Sequence, residues 1–185
     1  MRKLTLFSIL VVSACTTTIP STQQYLLRSD APIQSTVPSE SPVTGIGIIR
    51  VAHYIDGLGL ALETSGGAVR IARDYQWAEP LEDSLRIFFA RELSAETGQS
   101  IRIKRNSGID WKKRIDIRID ELHGTEKGEA QLVAHWEIFD IEHQLIISEN
   151  EFFQTVALES NGYTALVAAH KKLLRALSSA IAKTL

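Results

Sequence analysis

Strict alternation of apolar and polar residues marks the middle of this chain. Ile115, Ile117 and Ile119, with Leu122 beyond them, alternate with Asp116, Arg118 and Asp120. After a turn between Gly124 and Gly128, Leu132, Ala134, Trp136 and Ile138 alternate with Val133, His135 and Glu137. Apolar rows of period two predict strands with one buried face, and the two rows predict a long hairpin. Residues opposed in an antiparallel pair share a face, so joining the apolar rows pairs odd numbers with even ones, for example Ile117 with Ala134 or Trp136. A third strand follows over about 145–154, where Ser148, Glu149 and Asn150 leave the register open. Upstream, shorter runs predict strands over 46–51, 58–63 and 68–73, and another over 101–104. Ser65-Gly66-Gly67 forms a hairpin turn, since glycine takes positive φ without steric cost. No GxxxxGK[ST] or GxGxxG surrounds those glycines, so a turn is favoured over a phosphate loop.

Two segments change period. Pro80 suits a first helical position, and Glu79, Glu82 and Asp83 surround the opening turn, where the helix dipole favours acids. Leu81, Leu85, Phe88, Phe89 and Leu93 recur at helical spacing, and Gly98 is a C-terminal stop. The second helix covers about 162–184. Tyr163, Leu166, Val167, His170, Leu173, Leu174, Leu177 and Ile181 form one side, with Lys171, Lys172, Arg175 and Lys183 largely on another. A basic amphipathic helix can lie on a membrane, but a helix packed on the sheet with a solvated basic edge is the favoured reading. The elements together predict a single α+β domain, a mostly antiparallel twisted sheet with two amphipathic helices packed on one face.

The first residues are of another kind. Arg2 and Lys3 precede an apolar run that closes on Val12-Ser13-Ala14-Cys15, the three parts of a secretory signal with a cysteine just after the cleavage point. Read as a membrane-spanning helix, the run from Leu4 to Ala14 would reach only about 17 Å, short of a hydrocarbon core of about 30 Å. Val-Ser-Ala-Cys fits the bacterial lipobox, which makes residues 1–14 a lipoprotein signal peptide and Cys15 the lipid attachment site. Acyl chains on Cys15 contribute roughly 0.8 kcal/mol per buried CH₂, so several chains hold where one would not. Lipoproteins kept in the inner membrane commonly carry Asp after the lipidated cysteine. Thr16 stands there in this chain, which points to the outer membrane, facing the periplasm.

Residues 15–43 hold Pro20, Pro32, Pro38 and Pro42 among many Ser, Thr and Gln residues, the composition of a tether, and the domain is expected over 44–185. Tyr25-Leu26-Leu27 is an apolar island inside that stretch, expected to pair onto the sheet and so shorten the free tether. Charged residues are 23% of the chain with a formal net charge of -2, so there is no basic excess for nucleic acid. Cys15 is the only cysteine, so no disulfide is possible within the chain.

Chemical signatures are sparse. No GxSxG or SxxK occurs, and no cysteine is left for nucleophilic work. His135-x-Glu137 shares a strand face, with His123 and His143 nearby in sequence. No HExxH helix joins them, so a polar strand face is favoured over a metal site. Trp77, Trp111 and Trp136 could line a lipid groove, although aromatics at such positions are more often core.

Trp77-Ala78-Glu79-Pro80-Leu81 opening a helix, Tyr54-Ile55-Asp56 upstream, the early Tyr25-Leu26-Leu27, the long hairpin, the lipobox and the closing Leu177-Ser178-Ser179-Ala180-Ile181-Ala182 together carry a resemblance. The chain resembles the ABC-type transport auxiliary lipoproteins, the PqiC-like family, over most of its mature length. Where that family often has Tyr-Leu-Asp-Arg-Pro, this chain has Tyr54-Ile55-Asp56-Gly57-Leu58. The resemblance implies a non-catalytic periplasmic α+β domain tethered to the outer membrane, with no cofactor beyond the lipid on Cys15. It implies work beside a mammalian-cell-entry (MCE) protein and inner-membrane permease and ATPase subunits in moving phospholipid, docking on or extending the tunnel-forming partner, with a homo-oligomeric ring as one form of that assembly. From the residues alone, the same anchor also suits an envelope assembly or scaffold lipoprotein that pilots another machine.

Overall fold

In the computed structural model, residues 21–32, 44–103 and 111–185 are described. The strands are β1 (Gln23–Tyr25), β2 (Thr44–Val51), β3 (Gly59–Thr64), β4 (Ala68–Trp77), β5 (Ile101–Ile103), β6 (Lys113–Thr125), β7 (Glu129–Asp140) and β8 (Leu145–Ala157). Helix α1 (Leu81–Thr97) follows β4, and α2 (Tyr163–Ala182) closes the chain.

All eight strands belong to one sheet, and β6 is its trunk. Along one side β6 pairs antiparallel with β7, which pairs antiparallel with β8. Along its other side β6 carries two strands end to end. β2 runs parallel to its first half, with Ile46 opposite Ile115 and Val51 opposite Ile119, and β3 runs parallel to its end, with Leu62 opposite Gly124. The sheet forks there: β5 adds in parallel to β2, while β4 adds antiparallel to β3 and β1 adds in parallel to β4. Four of the seven pairings are therefore parallel, and the sheet is mixed rather than mostly antiparallel. The reason is physical. Alternation reports which face of a strand is buried, not which way its neighbour runs, and the parallel pairings join strands separated by helices or long connections.

The long hairpin follows its apolar register. Ile117 lies opposite Trp136, Ile115 opposite Ile138 and Ile119 opposite Ala134. A bulge between Ile119 and Glu121 then shifts the parity, so Leu122 meets Leu132 on the same buried face. In β8 the register sets Asn150 against Trp136 and Phe152 against Ala134, which turns Glu149, Glu151 and Phe153 to the other face. β4 runs four residues past the expected end, to Trp77. Its Val69 and Ile71 are exposed at 44% and 46%, because they alternate with Ala72, which is buried in the core with Leu60, and so turn to the face the helices leave uncovered.

Both helices pack on one face and against each other. Leu85, Phe88, Phe89 and Leu93 of α1 are fully buried, with Phe88 and Phe89 edge to face at 6.0 Å. Leu173, Leu174, Leu177 and Ile181 of α2 are as deeply buried. α2 is thus a helix packed on the sheet, chiefly on β7 and β8. α1 begins one residue later than expected, with Pro80 extended at the N-cap (ψ 132°), and ends on Gly98 in the left-handed region (φ 69°). The other face of the sheet is open and carries exposed Ile48 and Phe153 among charged side chains. Trp111 lies so close on Gly45 that a Cβ there would fall 2.2 Å from its ring, so only glycine fits.

Candidate functional site

The residues of the Trp77-Ala78-Glu79-Pro80-Leu81 motif act together as a clamp on the segment that follows the tether. β1 lies parallel to the end of β4, with Tyr25 opposite Trp77, and the Ala78 amide donates to the Tyr25 carbonyl at 2.8 Å. Leu27, two residues on, is 1% exposed in the core. Arg28 Nη2 then donates to both oxygens of Glu79, at 2.6 and 2.7 Å, and the Ser84 hydroxyl donates to the same carboxylate at 3.2 Å. The hydrogen bond from Arg28 is the main reason that the Glu79 carboxyl titrates below the usual glutamate range. Trp77 and Leu81 are buried beneath, and Trp77 lies 6.0 Å from the His170 ring.

Beyond Arg28 the segment crosses both helices. Arg91 of α1 donates to the Ala31 carbonyl, and Arg175 of α2 pairs with Asp30 and, at 3.6 Å, with Glu92. At the segment's start, the Tyr25 hydroxyl bonds to Thr164 Oγ1 at 3.1 Å, and Tyr75 stacks on Tyr163 at 4.3 Å. The Tyr25-Leu26-Leu27 island is therefore paired and packed, as expected, and the stretch 15–43 contains a piece of the folded body. Sequence patterns exposed the motif but not its partner. Arg28 and Glu79 are 51 residues apart and nothing local links them.

A second polar cluster sits where the sheet forks. The Leu122 amide donates to the Tyr54 hydroxyl oxygen at 3.2 Å, which leaves the Tyr54 proton free to donate to His123 Nδ1 at 2.7 Å. That network assigns the imidazole proton to Nε2, which faces Glu63 Oε2 at 3.3 Å without the alignment of a hydrogen bond. Burial pushes the Tyr54 phenol up to about 12, too high for it to serve as a ready nucleophile near neutral pH. The chain Glu63–His123–Tyr54 therefore ties η1 (His53–Ile55), the short turn between β2 and β3, to β6. On α2, His170 is 1% exposed, and neither ring nitrogen makes a hydrogen bond. Burial pulls its pKa down to about 3, and the nearby His123 backbone only partly opposes this.

The open face carries a concavity of about 660 Å³ lined by Ile48, Arg50, Arg118, His135, Glu137 and Glu151 among others. Arg118 pairs with Asp120, His135 Nε2 lies 3.1 Å from Asp120, and Asp116 accepts from Arg114 at 2.8 Å and from the Ile48 amide at 2.7 Å. His135 and Glu137 share this face as expected. The other imidazoles lie apart: His123 turns to Tyr54, and His143 to Asp140 at 3.0 Å. Among the described residues no three His, Cys, Asp or Glu side chains could hold a metal ion together. The tryptophans do not line one groove either. Trp77 and Trp136 are core, and Trp136 Nε1 reaches Thr184 at the far end of α2 from Trp77. Cys15 lies outside the described residues. No helix among the described residues is long and apolar enough to cross a membrane.

The α+β fold is shared with known proteins. A profile of the ABC-type transport auxiliary lipoprotein component family matches residues 25–182, and the chain belongs to that family. Its fold is similar to the crystal structure of an uncharacterized protein, with a TM-score of 0.73, 20% identity and coverage of 88% of this chain and 97% of that one. It is also similar to protein XCC0632 from Xanthomonas campestris, of the DUF330 family, with a TM-score of 0.65, 16% identity and coverage of 86% and 92%. At those identities the likeness speaks for the fold alone. Among curated proteins, none matches the sequence closely enough to count as a relative.

Proposed function

We propose that this protein is an outer-membrane-anchored periplasmic subunit of an MCE/ABC-type lipid transport system, non-catalytic, held by acyl chains on Cys15 and acting by docking on the tunnel-forming partner. The partners on this reading are an MCE-domain protein and the inner-membrane permease and ATPase subunits, with assembly as a ring of copies at the partner's end. The observation that carries it is the family match over the folded body, joined to a lipobox upstream and a clamp between them. The clamp gives the tether a mechanical meaning. Only Thr16 to Thr22 separate Cys15 from β1, and seven residues fully extended span at most about 25 Å. The domain is thereby held close to the bilayer by the end at which β1 and the start of α2 lie.

Crosslinking in intact cells, followed by purification of the full lipidated chain in detergent and mass spectrometry of proteins and lipids, tests the reading. Recovery of an MCE-domain protein together with phospholipid is expected. Recovery of neither, or recovery of a cell-wall synthase or secretion machine in their place, would favour a scaffold role and overturn the transport reading.

A further inference from the structure

β8 is an edge strand. It pairs with β7 along one side, and among the described residues no strand pairs with the other. Proteins ordinarily shorten, charge or cover such an edge, because its open N–H and C=O groups are a template for another strand. This one runs for 13 residues. Leu145, Ile146, Ile147 and Phe153 on it are exposed at 45% to 67%. A bulge between Ile138 and Phe139 of β7 pairs those residues with Ser148 and Ile146, leaving Ile147 without an opposite number. Glu149 and Glu151 stand exposed beyond it, and Glu149 lies directly opposite Glu137. Among the described residues none of these three carboxylates has an ion pair or a hydrogen bond.

We propose that the free edge of β8 docks an extended segment of a partner protein, which adds to the sheet as a further strand. Its apolar residues would meet Leu145, Ile146, Ile147 and Phe153, and Lys or Arg would sit opposite Glu149 and Glu151. Strand addition draws affinity from main-chain hydrogen bonds and specificity from alternate side chains, and this edge offers both. The charges also argue against a second copy of β8 as the occupant. An antiparallel register that sets Ile147 against Phe153 sets Glu149 against Glu151 twice. Sliding by two residues sets Glu149 against Glu149 and Ile147 against Glu151. Like charges directly opposed destabilise a pair, so both of these registers are penalised, whereas a basic strand removes the penalty.

The position suits such a partner. The tether enters beside Tyr75 and Tyr163 at the start of α2, whereas β8 begins at the other end. There Lys113 Nζ donates to the Leu185 carbonyl and the Ile141 amide donates to the Lys112 carbonyl. The 20 residues of α2 separate those ends by about 30 Å. The apolar start of β8 therefore faces away from the anchored end. This inference rests on the docking reading above only for the identity of the protein that supplies the strand.

Hydrogen exchange of the full chain in detergent, with defined peptides as probes, tests it. An eight-residue peptide Val-Thr-Lys-Thr-Lys-Thr-Val-Thr, whose valines and lysines share one face in the order that Ile147, Glu149, Glu151 and Phe153 require, is expected to protect amides between Ile146 and Phe153 while leaving β1 and β4 unchanged. It should bind at least about tenfold more tightly than its valine–glutamate counterpart, and that preference should reverse in the Glu149→Lys/Glu151→Lys variant. Loss of binding in Ile147→Asp, an exposed position whose change leaves the melting temperature in place, is also expected. No protection on β8 by either peptide, or equal binding of both, overturns the proposal. So does sedimentation showing that the full chain self-associates and that Ile147→Asp dissociates it. A photo-crosslinker at position 147 in intact cells should reach a basic, extended segment of another protein. Crosslinks confined to a second copy overturn the proposal, and a source other than an MCE protein sinks the transport reading while leaving the peptide result standing.

Discussion

Acidification should destabilise this domain through one buried imidazole. His170 titrates at about 3 in the folded chain, against about 6.5 when exposed, because burial disfavours the charged ring by more than the nearby His123 backbone favours it. The depressed value fixes the sign. The unfolded chain binds the proton at higher pH than the folded one, so stability is full above about 6.5 and falls as pH drops toward 3. At pH 5.0 the unfolded state is favoured by about 1.5 pK units, or about 2 kcal/mol, while at pH 7.5 the effect is below about 0.1 kcal/mol. Urea denaturation of the wild type and of His170→Leu at both values gives four stabilities. Leucine keeps an apolar side chain of fitting size and removes the titration. The variant should therefore gain about 2 kcal/mol relative to wild type between pH 7.5 and 5.0, whatever its offset at neutral pH. Parallel pH profiles for the two proteins would show that His170 is solvated or hydrogen-bonded in solution, which would refute the reasoning.

Other predictions address the clamp and the anchor. Leu27→Ala should cost about 2–5 kcal/mol in chemical denaturation, the range for a fully buried leucine, whereas a loss under about 0.5 kcal/mol would mean that the segment after β1 is not part of the folded body. Glu79→Ala should raise amide exchange over residues 25–31 well before it affects α1, and unchanged exchange there would show that Arg28 has another partner. Because Arg28 holds the Glu79 carboxyl low, its contribution is present above the ordinary glutamate range and is lost as pH falls through the folded value. Protection of the wild-type amides over 25–31, taken relative to their intrinsic exchange at each pH, should therefore fall at acid pH and that of Glu79→Ala should not. Gly124→Val should cost about 1–3 kcal/mol in thermal unfolding, since a Cβ there meets Leu62 and Leu166 at 2.9 and 3.0 Å, and an unchanged melting temperature would disprove that crowding.

Much of the local structure was legible, and the reasons are specific. The β6–β7 hairpin could be read to its parity because both strands bury one face, while the choice between Ala134 and Trp136 as the partner of Ile117 fell to the structure, which sets Trp136 there. α1 and α2 were legible from period and from Gly98. The partners of the short strands were not. Parallel pairing of β2 with β6 leaves no local trace, since crossovers rather than turns make it. Val69 and Ile71 alternate as core residues do, yet they are exposed, because the covered face of β4 is the one that carries Ala72, and alternation in so short a run does not say which face the helices will take. In the candidate site, Trp77-Ala78-Glu79-Pro80-Leu81 stood out by resemblance. Its mechanical role needed Arg28 in place, and that contact depends on the parallel pairing of β1. The Tyr54–His123 bond and the bare His170 ring were likewise invisible, since each joins elements distant in sequence.

The central claim is that one cysteine pins this body to a bilayer by a short tether. Growth with radiolabelled palmitate, followed by separation of envelope fractions, tests it most directly. The account predicts label on the mature chain in the outer-membrane fraction. In Cys15→Ser it predicts loss of that label, with the domain recovered soluble and folded in the periplasm. An unlabelled wild-type chain free of the membrane, or one that keeps its label after the substitution, would contradict it.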